Sequence, residues 1–148
     1  MMKTVEIHSL METKAFAEAL AKVIFPDFLI TLRGDLGAGK TTFTKYLGAA
    51  LGVKKTINSP TFTIMKSYQG RLPIYHIDAY RLEGITQELG FEEVFEDGGV
   101  CLVEWPQFID EQLPKERLEI VIRQTGETSR VFEISAKGLR YENVLEVL

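Results

Sequence analysis

The run Gly34-Asp35-Leu36-Gly37-Ala38-Gly39-Lys40-Thr41 satisfies every fixed position of the pattern G-x-x-x-x-G-K-[ST]. Few short runs restrict a fold so tightly. Its glycines let the backbone turn sharply, so that successive N–H groups converge on phosphate oxygens. The positive end of a following helix adds to that field. In this pattern the lysine reaches the β- and γ-phosphates and the hydroxyl ligates magnesium, which assigns Lys40 and Thr41 those roles and gives Gly37, Ala38, Gly39 and Thr42 backbone contact with the nucleotide. Without a ligand the same run would be a glycine-rich turn, but its flanks argue otherwise. Residues 28–32, Phe-Leu-Ile-Thr-Leu, are short, β-rich and mostly apolar, as a buried parallel strand is. Residues 40–51 read as a helix closed by Gly52. Strand, glycine loop and helix, in that order, predict an α/β P-loop NTPase fold.

Elsewhere the chain reads as mixed. Residues 5–8 alternate like a short strand. Ser9 is placed to cap a helix over 10–23, with Glu12 as its capping-box partner and Phe16, Ala17, Leu20, Val23 and Ile24 at helical spacing. Residues 61–68 and 72–78 flank Gln69-Gly70-Arg71 like a hairpin, and a short helix fits residues 86–89. Residues 100–103 form a second apolar strand, led in by Asp97-Gly98-Gly99 and ended by Pro106. Residues 118–123 and 131–135 alternate around Thr125-Gly126-Glu127, a further hairpin. The expected sheet has a parallel nucleotide-binding part and antiparallel hairpin additions, with helices on both faces.

At 148 residues the chain suits one domain spanning 1–148. No apolar run reaches the roughly 20 residues of a membrane span, and the start lacks a signal-peptide pattern. The lone Cys101 excludes an internal disulfide and fits a reducing compartment, so the expected location is cytoplasmic, with no membrane partner. The net charge is −4 and basic residues are dispersed, with Lys54-Lys55 the only short basic pair. Grip on bare nucleic acid needs clustered Lys and Arg, so nucleic acid is expected to belong to a partner.

Magnesium beside a phosphate takes oxygen ligands, and one or two carboxylates suffice. Glu104 stands at the end of the apolar strand 100–103, where a strand beside the P-loop strand presents an acid at the carboxyl end of the sheet. Asp78 is the second acid. An extended 76–80 segment would put His76, Asp78 and Tyr80 on one face. Histidine is a poor magnesium ligand, so His76 either orients a neighbour or fills the core. Asp78 can ligate the ion, hold a water or cap a turn; we assign Glu104 as the direct ligand and Asp78 as support behind it. Asn58-Ser59-Pro60-Thr61-Phe62-Thr63 sits where switch segments carry a Thr that senses the γ-phosphate, Thr61 or Thr63, although Asn-Ser-Pro is also ordinary turn chemistry. Trp105, beside Glu104, is either core or nucleotide contact. Arg33, Arg71 and Arg81 are available for charge stabilisation, and spacing selects none of them.

Taken together, Gly34 to Thr42, Ser59-Pro60-Thr61-Phe62-Thr63, His76-Ile77-Asp78-Ala79-Tyr80-Arg81-Leu82 and Cys101-Leu102-Val103-Glu104-Trp105-Pro106 resemble the TsaE (formerly YjeE) family, and Glu88-Leu89-Gly90-Phe91 extends the similarity. That family supplies the ATPase subunit of the bacterial tRNA threonylcarbamoyladenosine machinery. The resemblance implies binding of ATP and Mg2+, hydrolysis of ATP, and docking onto a carbamoyl-transferring tRNA modification enzyme and its inactive paralogue. ATP turnover would reset that complex, and tRNA would be met through the partners. It further implies Thr41 and Glu104 as magnesium ligands, Lys40, Asp78 and Glu104 as the catalytic set, residues 59–62 as the switch, Trp105 near the nucleotide and Glu12 near the adenosine. Phe62, where many members carry Tyr, is a mild departure. Two rivals differ in class. A P-loop small-molecule kinase would need an acceptor pocket and an arginine-bearing lid, yet residues 105–117 hold only Lys115 and Arg117 as basic residues. A nucleotide sensor would bind without appreciable turnover.

Overall fold

A computed structural model describes residues 1–35, 37–55, 57, 64–84 and 90–148. The proposed switch 58–63, with Thr61, lies outside them, as do Leu36 and the expected helix at 86–89. The elements are β1 (Met2–Ile7), α1 (Leu10–Ala21), β2 (Phe28–Gly34), α2 (Lys40–Ala50), β3 (Met65–Gln69), β4 (Pro73–Asp78), α3 (Phe91–Phe95), β5 (Val100–Glu104), β6 (Arg117–Gln124), β7 (Arg130–Lys137) and α4 (Leu139–Val147). Short 3-10 turns occupy Tyr80–Leu82, Pro106–Phe108 and Asp110–Gln112. No helix among the described residues is long and apolar enough to cross a membrane.

The strands form one seven-stranded sheet in the order β1-β7-β6-β2-β5-β4-β3. β2 pairs in parallel with β5 and β6, and β5 pairs in parallel with β4. β7 runs antiparallel to β6 and β1, and β3 antiparallel to β4. This is the mixed sheet that the apolar centre and the flanking hairpins predict.

Burial explains the pattern. β2 is central, and its residues Phe28 to Leu32 are all buried. Phe28, Ile30 and Leu32 pack with α1, α2 and α4 in the larger core. Leu29 turns to the opposite face and joins Cys101, Val103, Ile77 and α3. Each such side chain contributes about 1.5–3 kcal/mol on burial. Helices thus lie on both faces, unevenly. No residue of β1, β6 or β7 contributes to the second core, and β6 and β7 keep one buried face and one wetter face, as antiparallel strands commonly do.

Aromatic packing ties the helices to this frame. Phe16 of α1 and Phe43 of α2 lie 5.9 Å apart, and both meet Phe132 of β7 edge-on, at 5.3 and 5.7 Å. Ser9 caps α1 by accepting the Glu12 N–H at 3.2 Å. The Glu12 carboxylate reaches back one residue further than a capping box requires, accepting from the His8 N–H at 3.2 Å. The sequence pattern ran α1 to residue 23; it ends at Ala21. The first strand starts earlier than expected, at Met2, and excludes His8.

Candidate functional site

The parallel register sets the site. Leu32 of β2 and Asp78 of β4 both lie opposite Glu104 of β5, so three neighbouring strands end along one sheet edge. The glycine loop leaves β2 at that edge. Gly37 and Gly39 adopt φ of +81° and +113°, a left-handed region that glycine tolerates best. The loop closes with an Ala38 N–H bond to the Asp35 carbonyl at 3.0 Å, and α2 begins at Lys40. The first-turn amides of a helix have no carbonyl a turn behind them and so are available to a phosphate.

A cavity of about 230 Å3 is lined by Gly37, Gly39, Lys40, Thr41, Thr42, Asp78, Glu104 and Trp105. The sequence-assigned residues Lys40, Thr41, Asp78, Glu104 and Trp105 therefore converge. Lys40 is 8% exposed and Glu104 4%. The Lys40 ammonium lies 4.0 Å from Glu104 Oε1 and 4.6 Å from the centre of the Trp105 ring. The cation rests between a carboxylate and an aromatic face, both of which favour it. Trp105 also stacks on Phe108, with ring centres 6.0 Å apart, and tilts against Tyr80 at 5.0 Å.

His76 is fully buried, and its Nε2 donates to Glu104 Oε2 at 2.6 Å, so it orients a neighbour, one of its two sequence readings. Asp78 is half-buried; its Oδ1 accepts the Tyr80 N–H at 3.0 Å. That bond turns the chain into the 3-10 segment Tyr80–Leu82, so the expected shared face of His76, Asp78 and Tyr80 stops at Asp78, where β4 ends. Among the described residues no group of three or more His, Cys, Asp or Glu could hold a metal. An ion here would instead be met by the Thr41 hydroxyl, the Glu104 carboxylate, phosphate and water, a donor set that fits magnesium.

On the other side of Ala38 and Gly39 lies a larger cavity of about 490 Å3. Ile7, Leu10, Met11 and Phe132 give it an apolar wall, and Ser9, Thr128 and Arg130 a polar one. Thr42 lines both cavities. Glu12 is exposed and engaged with the His8 N–H; its neighbours Met11 and Thr13 line this cavity instead.

Arg130, at the start of β7, was not singled out by any local pattern. Its Nε donates to the Ala38 carbonyl in the glycine loop at 2.9 Å. Its Nη1 donates to the carbonyls of Ser129 and Gly126 at 2.9 and 3.3 Å. One guanidinium thus ties the β6–β7 turn to the loop. Of the arginines named from sequence, Arg33 is exposed on β2, and Arg71 donates to the Ala21 carbonyl at the end of α1. Arg117 is held by Asp110, Glu119 and the Pro114 carbonyl, so it is a structural anchor rather than part of a lid.

Comparison with known proteins shows the family and the fold. A family model described as "Threonylcarbamoyl adenosine biosynthesis protein TsaE" matches residues 7–132. A tRNA threonylcarbamoyladenosine biosynthesis protein TsaE of Bacillus subtilis is 52% identical over 138 residues, covering 93% of this chain and 87% of the relative. The protein of the same description from Treponema pallidum is 33% identical over 129 residues, covering 86% and 96%. The crystal structure of YdiB from Bacillus subtilis superposes with a TM-score of 0.85 at 44% identity, covering 99% of this chain and 93% of that one.

Proposed function

The chain belongs to the TsaE family of tRNA threonylcarbamoyladenosine biosynthesis proteins, and from that premise we propose that it binds and hydrolyses ATP as a subunit of that machinery. The observation that carries the reading is the convergence of Lys40, Thr41, Asp78 and Glu104 on one cavity at the carboxyl ends of β2, β4 and β5. The triphosphate lies against the amides of Gly37, Gly39, Lys40 and Thr41. The ribose and base pass over Ala38 and Thr42 into the larger cavity, where the apolar wall takes the ring faces. Glu12 holds the segment that walls this cavity, acting on the adenosine through His8 and Ser9.

Thr41 and Glu104 would hold magnesium, which would supply positive charge to neutralise the phosphates. Lys40 has a parked position on Glu104 and Trp105 and exchanges it for phosphate oxygens, so positive charge stays matched throughout. Asp78 keeps one carboxylate oxygen on the Tyr80 N–H, which leaves the other for the attacking water. Thr61 senses the γ-phosphate. Docking onto the carbamoyl-transferring enzyme and its inactive paralogue, with tRNA met through them in the cytoplasm, completes the role; hydrolysis resets the complex.

Replacing Lys40 by Ala tests the reading directly. Titration calorimetry is expected to show no ATP binding by the Lys40→Ala chain, and unchanged affinity would refute the assignment. Steady-state hydrolysis, measured alone and with the partner pair and tRNA, is expected to rise in the complex. The Arg117 anchor argues against the kinase alternative, since it leaves residues 105–117 without a free arginine to close over phosphate.

A further inference from the structure

His76 is 0% exposed, and among the described residues its Nδ1 is a buried side-chain polar atom without a hydrogen-bond partner. Burying such an atom unpaired costs about 1–3 kcal/mol, which an apolar side chain of similar volume would not incur. Space-filling alone therefore does not account for an imidazole at this position. What the ring does supply is Nε2, whose bond to Glu104 Oε2, at 2.6 Å, is at the short end for a donor meeting a carboxylate.

The register explains the contact. Asp78 lies opposite Glu104, and His76, two residues earlier on the same face of β4, lies opposite Leu102. The imidazole therefore approaches the carboxylate from below, from the interior of the sheet, rather than from the cavity. A glutamate has three rotatable side-chain bonds, and a bond of this kind to one oxygen holds them all. With Oε2 engaged from beneath, Oε1 is the oxygen turned towards Lys40 and the cavity.

We infer that His76 is a positioning residue: it fixes Glu104 so that a single oxygen, Oε1, is presented to magnesium. The inference rests on the reading of this cavity as a magnesium–ATP site. Partners that orient a metal-binding side chain typically change metal affinity or activity about 10–100-fold when removed.

The test uses the full chain, magnesium and a non-hydrolysable ATP analogue, with binding followed by calorimetry in EDTA and across a magnesium series. A glutamine amide nitrogen reaches the position of Nε2, whereas an asparagine amide stops at that of Nδ1. His76→Gln is expected to keep the half-saturating magnesium concentration within about threefold of the parent. His76→Asn and His76→Leu are expected to raise it about tenfold or more. In EDTA all three variants, where folded, should bind the analogue within about twofold of the parent. Equal magnesium dependence for the Gln and Asn variants would overturn the inference, and that pair decides the matter even if His76→Leu does not fold. A parent chain that took up no analogue at all would overturn the magnesium–ATP reading itself, and this inference with it.

Discussion

Arg130 carries more of the site than any pattern around it suggests. Its bond to the Ala38 carbonyl holds the glycine loop from behind, and charge-assisted bonds of this kind contribute about 1.5–3 kcal/mol, less where water competes. Arg130→Met is therefore expected to weaken ATP and ADP binding about tenfold, equally with and without magnesium. Calorimetry in EDTA checks this, because a loss confined to magnesium-containing buffer would contradict it. Lys40, Thr41, Asp78 and Glu104 were legible in the sequence because each belongs to a contiguous segment whose own order, strand then loop or strand then acid, marks it. Arg130 stands 92 residues from Ala38, and no local spacing records a contact of that range. Glu12 was legible as part of a helix start. Its distance from the larger cavity depends on how α1 crosses the loop, which the capping pattern does not encode.

The elements divide in the same way. β2, α2, β5 and the β6–β7 hairpin follow from hydrophobic period and turn residues. α3 and α4 were missed for different reasons. α3 spans 5 residues, too short for helical spacing to declare itself. α4 has the right spacing in Tyr141, Val144 and Leu145, but its N-cap is Gly138, which has no side chain to announce the start at Leu139. What seats α4 is long-range: the Leu29 N–H donates to the Tyr141 hydroxyl at 2.9 Å, and Tyr141 packs on Phe25 and Phe28. Tyr141→Phe leaves that buried N–H without its acceptor. A loss of about 1–3 kcal/mol is expected in urea melts, with nucleotide affinity unchanged because Leu29 lies at the opposite end of β2 from the loop. Unaltered stability would mean that ring packing alone seats the helix.

For the whole molecule, the second core makes a prediction about chemical reactivity. Cys101 is buried there, and desolvation, with help from the charges of Asp27 and Asp97, pushes its thiol from 9.0 up to about 12. The folded state thus holds this proton more tightly than the unfolded chain. The resulting stability is present below pH 9, falls as the unfolded thiol ionises above it, and is lost by about pH 12. A disulfide reagent at pH 8 is expected to leave the native protein unlabelled and to label one thiol after denaturation; rapid native labelling would contradict the burial. Cys101→Val should flatten the decline in melting temperature above pH 9. The strand order has a consequence for synthesis as well. β2, which launches the loop, lies between β5 and β6, both of which follow it in the chain, and the arginine tether comes later still, on β7. While residues beyond Glu104 remain inside the ribosome, the emerging chain lacks β6, β7 and the Arg130 tether, so the nucleotide cradle is complete only after the β6–β7 hairpin has emerged.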